Sequence, residues 1–193
     1  HTFIMKQIIL VMAAVCGLIT ATCAQVNTPV QNTLVFNENK QPMLLGHCDI
    51  SKLQDSPFNS WYIPNYKNYT PDSSLLSDLA KALRKKRIDI FMGTWCGDSK
   101  KEVPAMLKLL NTIGFDSTHI SLITVGNTGE LYKKSPQGEE QGKNIVRVPT
   151  FIIYEKKKEM GRIIEYPVES LEKDLLKILQ KQPYTPNYHQ LKL

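Results

Sequence analysis

The order of periodic segments predicts an α/β fold, with a central mixed sheet and helices on both faces. Three observations carry this. From residue 71 onward, helical spacing and short apolar runs alternate. One helical segment opens directly after an apolar run, at Cys96, and closes on Gly114. Near the C-terminus two apolar runs flank a charged turn, as in a hairpin, and an amphipathic helix follows.

Taken in order, the chain begins with a segment of export character. Met5 and Lys6 precede "IILVMAAVCGLIT" (8–20), an apolar run of h-region length. "ATCAQ" (21–25) supplies small residues for cleavage after Ala24. The run is short for a membrane span, and no stop-transfer charges follow it. Residues 1–24 are therefore expected to be a signal peptide with upstream residues. No stable membrane anchor is expected after cleavage, and the compartment is periplasmic or extracellular. Lipidation at Cys23 fits poorly, because Thr20 and Thr22 stand where a lipoprotein signal needs a leucine-type and a small residue.

Residues 25–70 read as an aromatic-rich extension. "TLVF" within it has the character of a short strand. "FNSWYIPNYKNY" (58–69) carries one Phe, one Trp and three Tyr, too aromatic for a free linker. It is expected to lie on the domain and bury its rings.

The domain proper is expected over 71–182, with a tail over 183–193. "TPDSSLLSDLAKALRKKR" has a capping candidate ahead of Leu75, Leu76, Leu79, Ala82 and Leu83 at helical spacing. "IDIFMG" reads as a buried strand, and "HISLITVG" as another. Between them, "GDSKKEVPAMLKLLNTIG" (97–114) is a helix kinked at Pro104 and stopped by Gly114. The polar, Gly-rich stretch 127–144 has room for a loop or a short helix. "VPTFIIYE" (148–155) and "MGRIIEYP" (160–167) form the hairpin, and "ESLEKDLLKILQKQ" (169–182) the last helix.

Composition narrows the function classes. The 193 residues carry a net charge of +6, concentrated in "RKKR" and "EKKKE" without an aromatic platform or groove-reading motif beside them. These are solvated faces, and no nucleic-acid partner is expected. No Gly-rich phosphate loop is present. His47 beside Cys48 is too sparse for a metal site, so neither metal nor cofactor is expected. With the signal removed, Cys48 and Cys96 remain, too few for a disulfide scaffold.

Chemistry concentrates at "FMGTWCGDSKKEVPAM" (91–106). Cys96 falls between a strand and a helix, where free N–H groups and the macrodipole favour an anionic sulfur. Trp95 shields it. The motif "WCGDSKKEVP", with Pro104 five residues after Ser99, and the distant "VPT" (148–150) resemble the thioredoxin superfamily. The resemblance covers about residues 70–182 and is nearest to exported bacterial thioredoxin-like proteins. It implies a thioredoxin-like fold, Cys96 as attacking nucleophile, and a cis Pro149 facing the sulfur. It further implies that Val148 binds an extended peptide through its backbone and that Trp95 flanks the groove.

Three positions depart from the family pattern. Ser99 stands where the resolving cysteine is expected, so a mixed disulfide must be released by an outside thiol or by the substrate's own. Asp98 replaces a proline and opposes a nearby thiolate. Ile90 replaces a buried aspartate that assists proton transfer. Ser99 either donates a hydrogen bond to Cys96 or caps the helix. Cys48 either resolves Cys96 from outside the motif or is incidental. The expected function is an exported thiol–disulfide exchange protein acting on protein thiols or disulfides, or on small thiols. A redox-silent peptide-binding module is the alternative.

Overall fold

A computed structural model describes residues 31–192. The expected signal peptide, its cleavage site, Cys16 and Cys23 lie outside the described residues. The chain is α/β, built on a mixed six-stranded sheet. The strands are β1 (Thr33–Phe36), β2 (Pro42–His47), β3 (Lys86–Met92), β4 (Ile120–Thr124), β5 (Thr150–Glu155) and β6 (Lys158–Ile164). They lie in the order β1-β2-β4-β3-β5-β6. Only β3 and β4 run parallel; the other neighbours are antiparallel. Among the described residues the α-helices are α1 (Asn59–Asn68), α2 (Leu76–Ala82), α3 (Gly97–Thr112) and α4 (Leu171–Leu179).

Pleat register settles what each face meets. Ile90 lies between Leu122 of β4 and Phe151 of β5, and all three point to one side. That side holds the main core. Tyr62 of α1, Leu79 of α2, Met106 and Leu110 of α3, and Leu175 of α4 all bury there with Ile88, Ile90 and Met92. The opposite face carries Phe91, Ile123, Val125, Ile152 and Tyr154. It is covered by Ile145 and Val148 of the long β4–β5 connection. Among the described residues the expectation of helices on both faces is therefore corrected: α1, α2, α3 and α4 all pack on one. The physical reason is the 127–144 segment. Its polar, Gly-rich sequence makes only a 3-10 turn at Gly129–Leu131, so the second face is roofed by loop.

The segment before residue 71 enters the fold more deeply than a surface extension. β2 pairs with β4, Gly46 opposite Thr124, and Met43, Leu44 and Leu45 are buried. α1 stacks Tyr62 on Tyr66 one turn apart, with centroids 5.6 Å apart, and packs along α3 despite Pro64 in its interior.

α3 positions the site. Its buried side chains include Val103, Met106, Leu109 and Leu110. Its end is closed by two bonds, from Phe115 N–H to Leu110 O and from Gly114 N–H to Asn111 O. Gly114 has φ +69°, the left-handed geometry that such a stop requires. α4 begins at Ser170, whose hydroxyl accepts from Lys173 N–H. Asp174, fully buried, accepts from Val168 and Glu169 N–H and from Tyr184 OH. The buried Glu172 accepts from Tyr69 OH and Asp72 N–H, tying the chain ahead of α2 to the last helix.

Candidate active site at the head of α3

β3 ends at Met92, and a short turn later Cys96 caps α3 with extended backbone angles, φ −83° and ψ 130°. The intervening turn is braced on three sides. Cys96 N–H donates to Gly93 O at 2.9 Å. Thr94, buried, accepts from Leu44 N–H at 3.2 Å and so ties the turn to β2. Ser99, buried in the first turn of α3, accepts from Gly93 N–H at 3.2 Å.

Trp95 folds back over Gly93. A Cβ at Gly93 would come within 2.5 Å of the indole ring, so a residue without one is needed there. The indole N–H donates to Val125 O at 2.9 Å, fixing the ring against the loop-covered face. Trp95 and Cys96 both pack on the Phe91–Val125–Val148 cluster.

The Cys96 sulfur lies 3.2 Å from Val148 O, within reach of a thiol hydrogen bond. The Val148–Pro149 peptide is cis. Val148 and Pro149 are buried, and Pro149 O accepts from Glu165 N–H at 2.7 Å. Trp95, Cys96, Val148 and Pro149 therefore converge. Ser99 stays beneath the turn: its bonded partner is Gly93, and no bond joins it to Cys96. Cys96 remains partly exposed, and Asp98 is exposed.

The second thiol is in a different setting. Cys48 is buried in the helix-side core, and its thiol donates to Asp49 O at 3.4 Å. Burial pushes this thiol up from 9.0 to about 12, with the charge of Asp49 adding and Lys52 opposing. The two cysteines belong to clusters on opposite faces of the sheet, and neither forms a disulfide.

Sequence reasoning missed Asp89. It is buried on β3, bonds to Arg87, and has Lys143 Nζ 3.9 Å away. Burial pushes its carboxyl up, while Arg87, Lys143 and His47 pull the other way. Its signal was present: a charged residue inside "IDIF", one position from Ile90. Alternation sends it to the Phe91 face. His47 faces Glu139 at 3.8 Å, and among the described residues no cluster of three His, Cys, Asp or Glu could hold a metal. No described helix is long and apolar enough to cross a membrane.

Beside Trp95 lies a cleft of about 280 Å³, walled by the β1–β2 hairpin, the approach to α1 and the first turn of α3. A larger groove of about 540 Å³ sits at the other end of α3, lined by Tyr62, Tyr66, Leu107 and Phe115.

No known family model matches the chain, and no curated protein matches it. Among solved structures it is similar to the crystal structure of a protein of unknown function from Pseudomonas aeruginosa. The two are 14% identical, the match covers 64% of this chain and 81% of that one, and the TM-score is 0.41.

Proposed function

We propose that this chain is a thioredoxin-like thiol–disulfide exchange protein that uses Cys96 as its single nucleophile. The observation that carries the reading is the placement of the Cys96 sulfur. It is partly exposed at the head of a 16-residue helix and 3.2 Å from Val148 O, the carbonyl directly ahead of Pro149. The β3–α3–β4 unit followed by the β5–β6 hairpin and α4 supports the finer fold assignment. The loop in place of a helix between β4 and β5 is a departure within it.

The chemistry follows from one thiol. The Cys96 thiolate attacks a sulfur of a client disulfide. A Cys96–client S–S bond forms, the client S–S bond breaks, and the departing thiolate takes a proton from water. Ser99 has no thiol to reverse this. Release therefore needs a second thiolate, from the client or from a small thiol, which attacks the mixed disulfide and returns Cys96. Partners are protein thiols or disulfides, or small thiols, in an oxidising compartment outside the cytosol.

The test is trapping. Incubated with a peptide disulfide and no reductant, the intact protein should hold the peptide as a stable adduct at Cys96, visible by mass. Cys96→Ala should hold none. Ser99→Cys should discharge the peptide, because the introduced thiol can attack the adduct and close an internal disulfide with Cys96. A Cys96 that reacts no faster than a cysteine in an unfolded peptide removes the basis for the proposal.

One observation favours a second reading, a redox-silent binding module. The residue at the resolving position, Ser99, is already engaged as a brace for Gly93. Client binding that survives Cys96→Ala with no mixed disulfide in the intact protein supports that reading instead.

A further inference from the structure

The cleft beside Trp95 has mixed walls, with Asn37 and Gln41 on its polar side. Pro42 of β2, Phe58 ahead of α1, and Trp61 within α1 supply apolar walls, and Trp95 closes it toward Cys96. Phe58 and Trp61 meet edge to face, with centroids 6.4 Å apart, so the aromatic wall is held rigid. Thr94 and Lys100 complete it on the α3 side. Phe36, next to Asn37 of the cleft wall and opposite Pro42 in the β1–β2 register, is 64% exposed, a large apolar side chain left in water.

Lys101 pairs with Glu102 at 3.0 Å, whereas among the described residues no ion pair engages Lys100. Lys100 thus lines this partly aromatic recess with no described carboxylate paired to it. Backbone geometry links this recess to the reactive thiol, because Lys100 N–H donates to Cys96 O at 3.0 Å. Trp95 links them again: it packs beside Cys96 on one cluster and lines the cleft as well.

We propose that this cleft is the specificity subsite of the Cys96 site, holding a client peptide segment whose aromatic side chain enters the recess and whose carboxylate meets Lys100. The proposal rests on the thiol-exchange reading only in taking the occupant to be the client. The recess excludes water from an aromatic ring, and the ammonium supplies a charge-assisted contact at its mouth. Clients rich in Phe or Tyr next to Asp or Glu are selected, and basic flanks are rejected by like charge.

The test uses peptides without a thiol, so it does not depend on the chemistry of Cys96. Blocked Asp-Phe-Ser-Phe-Asp, Lys-Phe-Ser-Phe-Lys and Asp-Ala-Ser-Ala-Asp are titrated into the full chain carrying Cys96→Ala, with binding followed by fluorescence anisotropy. The symmetric sequences make chain direction immaterial. The acidic aromatic peptide should bind about tenfold more tightly than either counterpart. Lys100→Glu should abolish its preference over the basic peptide. Trp61→Ala should abolish its preference over the alanine peptide. Lys157→Glu, which makes the same charge change at the β5–β6 turn, should leave both preferences intact. Equal binding of all three peptides, no binding, or a loss with Lys157→Glu as large as with Lys100→Glu overturns the subsite. A protein that shows these preferences yet forms no adduct at Cys96 sinks the exchange chemistry and keeps the subsite. Adducts without the preferences do the reverse.

Discussion

The two thiols of the described residues share a functional group and little else. Cys96 stands at a helix head, partly exposed, its sulfur 3.2 Å from a carbonyl oxygen. Cys48 is sealed in the helix-side core at 7% exposure, and its thiol is pushed up to about 12. The contrast teaches that position decides whether a cysteine is a reagent or a packing group. Nothing in the side chain itself differs.

The sharpest way to break the contrast is native-state labelling with a thiol probe. Cys96 should label faster than Cys48 by about a thousandfold, because Cys48 must wait for the core to open and then ionise. Site-resolved mass spectrometry reads both at once. Rates within about tenfold of each other would erase the distinction.

A second measurement uses alkali. The folded chain holds the Cys48 proton, while the unfolded chain releases it above about pH 9. The stabilisation is therefore complete below pH 9 and declines as pH rises toward 12. By about pH 11 the loss attributable to this group should be about 1–3 kcal/mol. Urea unfolding of the intact chain and of Cys48→Ala across that window isolates it: the advantage of the intact chain should shrink as pH rises. An unchanged gap would mean that the thiol is not held protonated.

Gly93→Ala probes the other thiol through its roof. The new methyl collides with the Trp95 ring and should break the indole bond to Val125 O. A cost of about 1–3 kcal/mol is expected, with a shift in tryptophan fluorescence. The labelling rate of Cys96 should change through the lost Trp95 contact, whereas that of Cys48 should rise only as far as the lost stability opens the core. The smallest effect is expected from Ser99→Ala. It leaves the Gly93 N–H without its acceptor and should cost about 1–2 kcal/mol in unfolding free energy. An unchanged Cys96 labelling rate would identify Ser99 as a brace for the turn; a slower rate would give it a part in activating the sulfur.

Much of this is legible in the sequence. The approximate limits of α3, the hairpin and α4 follow from periodicity, and Gly114 marks the end of α3; these are local signals. That Pro149 faces Cys96 is what the resemblance implies; the bond from Cys96 to Val148 O, 52 residues apart, leaves no local trace. What stays hidden is relational. Periodicity says that Leu79 and Leu175 have a buried side, but not that they bury on the same side of the sheet. The run "PMLLGH" is short and broken by Pro and Gly, so it does not read as a sheet strand. It becomes one because β4 offers a free edge for it. Pro64 hides α1, whose turn is held by the Tyr62–Tyr66 stack and by packing on α3. Asp89 is hidden by the apolar run around it, whose single charge shows its partners only once Arg87, Lys143 and His47 are placed in space.

The pairing of β2 with β4 has a consequence in time. Gly46 meets Thr124 across 78 residues of chain, so Cys48, next after β2, stays uncovered until the segment through β4 has been made and docked. Until then both described thiols stand open to reagent; afterwards Cys96 alone of the described cysteines is partly exposed. Docking of β4 is thus the step that withdraws Cys48 from solvent.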